Sequence, residues 1–225
     1  MTILNGVALA FVLSLCIPMC TGSYDHFKFV QQWPPAVCDT SGCKRSGLSR
    51  FTIHGLWPNN KTYVKNQPTC LTNRANSIKA TILTSSNLVS KLSTSWPDVK
   101  NANDNDFWNK QWDKHGTCSL QTYDQAQYFE RSYNMWKETN LTKTLDSLIK
   151  QTPRQQNVTD IEQLIQGVTA TEKKPLLRCE QSHSNASKSL LKEIVICYAH
   201  NGITVIDCVS RPKSTFECYD GFWFP

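Results

Sequence analysis

The chain has 225 residues, with 24 basic and 18 acidic side chains, five histidines and a formal net charge of +6. That length suits one domain with a sizeable core, and the absence of a Pro/Gly/Ser linker or an internal repeat excludes a multidomain or solenoid chain. The moderately basic balance fits a polyanionic partner such as RNA, although alone it does not select one.

Residues 1–23, MTILNGVALAFVLSLCIPMCTGS, carry no charged side chain and hold an apolar run from Val7 to Ile17. Small residues follow at Cys20, Gly22 and Ser23, the pattern of a secretory signal cleaved before Ser23 or Tyr24. The run is short for a bilayer span and Pro18 interrupts it, so the reading is export, not a membrane anchor. Residues 24–225 are then the mature, extracellular domain. Of ten cysteines, Cys16 and Cys20 leave with the signal, and the even remainder in an exported chain predicts four disulfides. Sequons at Asn60, Asn140, Asn157 and Asn185 fit passage through a glycosylating compartment.

Tyr24 to Trp33, YDHFKFVQQW, alternates as a strand that Pro34-Pro35 ends, with Phe27, Phe29, Gln31 and Trp33 on one side. Leu48 to Leu56 predicts a second strand, stopped by Pro58-Asn59-Asn60, with Phe51, Ile53 and Gly55 on one face and Thr52, His54 and Leu56 on the other. Residues 60–75 are polar and irregular, a surface loop. Helical spacing follows over 77–93, and Trp96-Pro97 ends it. Phe107 to Gly116 is the next helix, with Trp108, Gln111, Trp112 and His115 on one face and Gly116 as its stop. Residues 124–139, 141–151 and 158–168 continue helically. EIVICYAH and GITVIDCV then form a hairpin about Asn201-Gly202, in which Cys197 and Cys208 can face each other. Helices grouped mid-chain between strands at both ends predict an α+β fold.

Two histidines stand in aromatic settings: His54 in FTIHGLWP and His115 in WDKHGTC. Beside His115, which can switch charge near neutral pH, Lys114 supplies a fixed positive charge. Cys118 reads as a covalent staple. No C-x-x-C pair accompanies it, and His115 with Cys118 lacks the second half of a metal site. A nucleophilic thiol would be consumed by oxidation during export. Trp33, Trp96, Trp108 and Trp112 read as core; Trp57 is equally compatible with packing and with ligand stacking.

FTIHGLWP (51–58) and FWNKQWDKHGTC (107–118) resemble the two active-site segments of the T2 family of secreted ribonucleases. FKFVQQWPPAVC, SWPDV, QYFERSYNMW, PLLRC and VIDC extend the likeness over nearly the whole mature chain, with the cast of plant members, the rose-family S-RNases of self-incompatibility above all. The resemblance implies an antiparallel twisted sheet with helices packed against it, and disulfides Cys38–Cys43, Cys70–Cys118, Cys179–Cys218 and Cys197–Cys208. It implies that His115 is the base that takes the 2′-OH proton of RNA, that His54 is the acid for the 5′-oxygen, and that Lys114 supplies positive charge. Products would be 2′,3′-cyclic phosphates, with no metal or other cofactor. Many members have His-Glu where this chain has Lys110-Gln111. Gln111 keeps a hydrogen-bond donor toward phosphate but loses the carboxylate, and Lys110 keeps charge without shuttling a proton. Trp57 matches a base-stacking residue, and Gln32 and Phe107 match positions lining a second base site. An adenine-reading Asp is replaced by Asn59, and Asp98 and Lys100 differ from a uridine-reading pattern, so base preference stays open. The implied partners are single-stranded RNA and, for an S-RNase, pollen F-box proteins of a ubiquitin ligase reading residues 60–75. No membrane partner is implied, and the chain is expected to be a monomer. A non-S ribonuclease of RNA scavenging or stress, and an idle RNA-binding or storage glycoprotein, are the alternative readings.

Overall fold

The computed structural model describes residues 24–60, 85–151, 154–209, 217–218 and 221–225. The signal segment and the recognition loop expected over 60–75, apart from Asn60, lie outside these residues. Strands β1 (His26–Gln32), β2 (Thr52–Asn59), β3 (Leu176–Gln181), β4 (Ser189–Ala199) and β5 (Val205–Ile206) form one sheet of order β2-β1-β4-β3, with β5 also on β4. Every ladder is antiparallel. Helices α1 (Pro34–Ser41), α2 (Ser86–Ser95), α3 (Asp104–Lys114), α4 (Gln125–Thr139), the single turns α5 (Leu141–Thr144) and α6 (Asp146–Ile149), and α7 (Val158–Thr169) complete the α+β domain. No helix among the described residues is long and apolar enough to cross a membrane.

β1 is buried along its whole length because both its faces are covered. Phe27, Phe29 and Trp33 join Phe51, Ile53, Leu56, Trp96, Trp108, Trp112, Tyr128 and Phe129 in the main core, beneath the helices. The four tryptophans read as packing residues, Trp33, Trp96, Trp108 and Trp112, are all buried there. Val30 faces the other way and packs with Val195, Cys197 and Trp57. That second face carries the site.

β2 departs from its expected form in three respects. It runs through Pro58 to Asn59, pairing Phe27 with Pro58, because β2 is an edge strand and proline's missing N–H costs no ladder bond there. It starts at Thr52, not Leu48. Its alternation also breaks, since Val30 pairs with Gly55 and Gln31 with Ile53, leaving His54 as the extra residue of a β-bulge. The bulge returns Leu56 to the core side with Phe51 and Ile53 and turns Trp57 to the opposite face, correcting the assignment of Leu56 to the face of His54.

Among the described residues no strand pairs with the outer edge of β2, and aromatic donors on α4 and at the end of α2 cover it. Trp136 Nε1 donates to the Phe51 carbonyl (2.9 Å), Trp96 Nε1 to that of His54 (3.1 Å) and Tyr128 Oη to that of Leu56 (2.8 Å). Each bond pairs a buried backbone acceptor that strict alternation alone would leave open.

Other differences have local causes. Pro34-Pro35 end β1 but also open α1, since proline suits the first helical turn. α3 begins at Asp104, three residues before the expected start, where the Asn103 side chain accepts from Asp106 N, and it stops at Lys114. Asp124 and Gln127 form a reciprocal capping box that starts α4. The expected helix 141–151 is broken at Leu145 into α5 and α6. β5 is only two residues long because Asn201 Oδ1 accepts from the amides of Ile203 and Thr204, extending the turn. β3 was not marked by an alternating run; pairing with β4 makes it a strand. Of the expected helix 77–93, residues 77–84 lie outside the described residues.

Disulfides join Cys38–Cys43, Cys179–Cys218 and Cys197–Cys208, with Cα separations of 5.0, 5.0 and 5.2 Å. In the hairpin Cys197 sits opposite Ile206, so its bond to Cys208 runs diagonally. Cys118 is also in a disulfide; Cys70 lies outside the described residues.

Candidate active site

Two short segments bring the chemistry together: the bulge of β2 and the C-terminal end of α3. At the bulge, the His54 ring reaches over β1 to β4, where its Nδ1 bonds Glu193 Oε1. Glu193 lies opposite Gln32 of β1 and Arg178 of β3, and its other oxygen accepts from Arg178 Nη1 at 2.9 Å. Burial pushes the Glu193 carboxyl up, but the charges and hydrogen bonds of His54 and Arg178 outweigh it and hold the group at about 2. An ionised carboxylate can only accept, so His54 Nδ1 carries the proton and Nε2 is left for a ligand.

His115 is the residue that caps α3, its backbone N–H donating to the Gln111 carbonyl at 3.0 Å. It is 4% exposed, and its ring stacks on Trp57 with centroids 5.2 Å apart. Burial, together with the nearby positive charge of Lys114 and of His54, holds the imidazole down at about 3, so it is neutral at pH 7. Lys114 is exposed at the last position of the helix, where a cation complements the helix dipole.

Trp57 joins the two segments. Its Nε1 donates to Gln111 Oε1 at 3.0 Å, its ring meets His54 edge-on at 5.1 Å, and the Arg178 guanidinium lies 5.8 Å from it. This packing explains the glycine of the HGLW segment. A Cβ on Gly55 would stand 2.0 Å from Trp57 Nε1 and 2.5 Å from Gln111 Oε1. Gly116 is required for a similar reason, since a Cβ there would stand 2.1 Å from the Trp112 ring. Thus Gly116 serves close packing as well as the helix stop.

His54, Trp57, Gln32, Phe107, Lys28, Lys100, Arg178 and Glu193 line a cleft of about 570 Å³, to which Asn59, Asp98 and Asn101 also contribute. Phe107 stacks toward His54 at 6.3 Å. Asp98 is buried at the rim, accepting the backbone N–H groups of Lys100, Asn101 and Asn103. His54 and His115 both lie against Trp57, and of the two His54 lines the cleft. Gln111 is buried beside Trp57. Lys110 points elsewhere, 69% exposed by side chain and paired with Asp106 at 2.6 Å one helical turn back. Asn140, Asn157 and Asn185 are exposed, and Asn60 is partly so.

Glu193 and Arg178 were missed in the sequence. The signal for Glu193 was present, a carboxylate inside the apolar run LLKEIVIC, but only the strand register shows it meeting Arg178 and His54.

The geometry combines a neutral imidazole, a second imidazole on a carboxylate, and an aromatic cleft edged with cations. Such an arrangement can move two protons around an anionic ester beside a stacked ring. Residues 24–208 match the Ribonuclease T2 family. Ribonuclease MC of Momordica charantia is 39% identical over 190 residues, covering 82% of this chain and 94% of that protein. Ribonuclease S-2 of Antirrhinum hispanicum is 34% identical, covering 89% and 81%. The crystal structure of Japanese pear S3-RNase superposes with a TM-score of 0.73 at 32% identity, covering 88% of this chain and 98% of that one. Sequence match and shared fold thus agree with the chemistry of the cleft: the chain belongs to the ribonuclease T2 family and is an endoribonuclease that binds single-stranded RNA.

Proposed function

We propose that the enzyme cleaves RNA by attack of the ribose 2′-OH on the adjacent phosphorus, with His115 taking the 2′ proton and His54 protonating the departing 5′-oxygen. The observation that carries this reading is the opposite electrostatic setting of the two imidazoles. His115 is held neutral, as a base must be, whereas His54 rests on an ionised carboxylate that suits an imidazolium. A base at about 3 is weak, but an incoming phosphodiester anion favours its charged form and raises it toward the working range. Lys114 adds positive charge as the phosphorane-like state forms. The products are 2′,3′-cyclic phosphates.

Base recognition rests on Trp57, Gln32 and Phe107. To reach a base and uncover His115, the Trp57 indole turns out of its bond with Gln111. Stacking on a base contributes roughly 1–3 kcal/mol, against about 1 kcal/mol for the lost hydrogen bond, so the exchange favours the bound state. The test is turnover on single-stranded RNA. His54→Ala and His115→Ala should each lose about 10²–10⁴-fold in kcat with the fold retained. RNA blocked at the 2′ oxygen should not be cut. Near-full turnover in either folded variant removes that histidine from the mechanism.

Residues 1–23 direct secretion in this reading, and residues 24–225 act outside the cell. The similarity to ribonuclease S-2 and to Japanese pear S3-RNase supports a style role in self-incompatibility, with residues 60–75 read by pollen F-box proteins. The 39% identity to ribonuclease MC supports the second reading, a non-S plant enzyme that degrades RNA for scavenging. Style-restricted transcription separates the two. So does exchanging residues 60–69 between alleles, which should redirect pollen rejection while leaving RNA cleavage intact.

A further inference from the structure

We propose that Glu193 is a positioning residue for His54, receiving its Nδ1–H so that Nε2 is presented to the cleft. The inference rests on the reading of His54 as the acid.

Core stability does not account for a carboxylate at this point. Glu193 is 8% exposed in the middle of the sheet, between Leu191 and Ile194–Val195, which are fully buried. A buried ion pair is often no more stabilising than the apolar side chains that could replace it. Arg178 balances the charge but occupies only one oxygen; the other is bonded to His54. The carboxylate therefore has a second partner, and that partner is the histidine displaced by the bulge.

The remaining contacts of His54 leave one freedom unfixed. Its carbonyl is held by Trp96, and its ring lies between Trp57 and Phe107. Aromatic neighbours fix the plane of an imidazole, yet a half-turn about its Cβ–Cγ bond exchanges Nδ1 and the carbon opposite without leaving that plane. Only a directional hydrogen bond distinguishes these orientations. Glu193 supplies it from β4, an interior strand bonded by β1 on one side and β3 on the other. Arg178, directly opposite on β3, keeps the carboxylate itself from turning.

The proton balance is simple. The Nε2–H bond breaks as the 5′-oxygen takes the proton and the electron pair of the breaking P–O bond. The Nδ1 proton stays between His54 and Glu193, which remains ionised throughout.

The test uses the whole chain, with Glu193→Gln and ¹⁵N NMR of the histidine rings. The wild type should show the neutral His54 ring protonated at Nδ1. Glu193→Gln keeps the side-chain shape but removes the ionised acceptor. Its kcat should fall about 10- to 1000-fold with KM within about threefold, and its His54 ¹⁵N shifts should report the other tautomer. A folded Glu193→Gln enzyme within about threefold of wild-type kcat overturns the proposal. A neutral wild-type His54 protonated at Nε2 does the same, and needs no variant that folds. Should His54→Ala retain turnover, the acid assignment fails instead, and the ¹⁵N spectrum still reports whether Glu193 orients the ring.

Discussion

His54 and His115 are the same side chain in opposed settings. His54 sits on an edge strand, a third exposed by side chain, at a bulge and bound to a carboxylate. His115 caps a helix, buried, stacked under an indole and beside a lysine. The first environment supplies negative charge to an imidazole; the second withholds water from it and adds positive charge. In the proposed mechanism the acid and base roles follow from what surrounds each ring, and Trp57 touches both.

The largest test of that contrast is stability against pH. His115 falls from an ordinary 6.5 in the unfolded chain to about 3 in the folded one, and Glu193 from 4.5 to about 2. In both cases the unfolded state binds the proton more readily. The stability is therefore complete above the unfolded value and lost as pH falls through the folded one. Resistance to denaturant should fall progressively as pH drops from 6.5 to 3 through His115, by up to about 5 kcal/mol, and from 4.5 to 2 through Glu193. A His115→Asn variant should lose the upper part of that slope; an unchanged slope would show that His115 is not held neutral.

Gly55→Ala is next. Its Cβ would drive Trp57 off Gln111, costing about 1–3 kcal/mol by overpacking and disturbing both histidines at once. Melting temperature and kcat should fall together, and a variant with both intact would show that the indole is not fixed by this contact. Gln111→Glu has a smaller effect. It keeps the acceptor for Trp57 Nε1 but places negative charge one helical turn from His115. The acidic limb of kcat/KM should move up by about one pH unit, because the imidazolium gains a partner. An unmoved profile uncouples Gln111 from the chemistry. Lys110→Ala is the smallest, since the ammonium is exposed and paired along the helix surface. Activity should stay within about twofold, and a larger loss would place Lys110 on the path of the RNA.

Much of this was legible in the sequence. The two histidine segments were picked out as active-site segments by their resemblance to the T2 family. The α+β order and the helix that carries Trp108, Gln111 and Trp112 followed from spacing and composition, because periodicity reports which face is buried. The bulge did not, since one extra residue leaves no mark in an alternating pattern; it emerges only when Gly55 pairs with Val30 and Ile53 with Gln31. Glu193 was hidden for a related reason. A charge inside an apolar strand is visible in sequence, but its partners come from strands 15 and 139 residues away along the chain. Likewise, Trp96 reads as a core residue, and nothing local reveals that its indole N–H, or the polar atoms of Tyr128 and Trp136, hold carbonyls along the edge of β2.

That last arrangement makes the displaced histidine possible. An interior strand answers to two ladders, and the inserted Lys192 of β4 sits where its ladder with β1 ends, between the pairs Arg178–Glu193 and Cys179–Leu191. Among the described residues β2 answers to one, and on its outer side, side-chain donors, which can tilt and reach, take the place of the rigid repeat of a neighbouring backbone. The strand can therefore carry an irregularity at His54 while remaining fastened on either side of it. Lengthening or shortening β2 by one residue between Phe51 and Leu56 would put the carbonyls on one side of the change out of step with those on the other, so that the indoles of Trp96 and Trp136 and the phenol of Tyr128 could no longer all be met. The tethers that permit the irregularity thus also fix where along the strand it can occur.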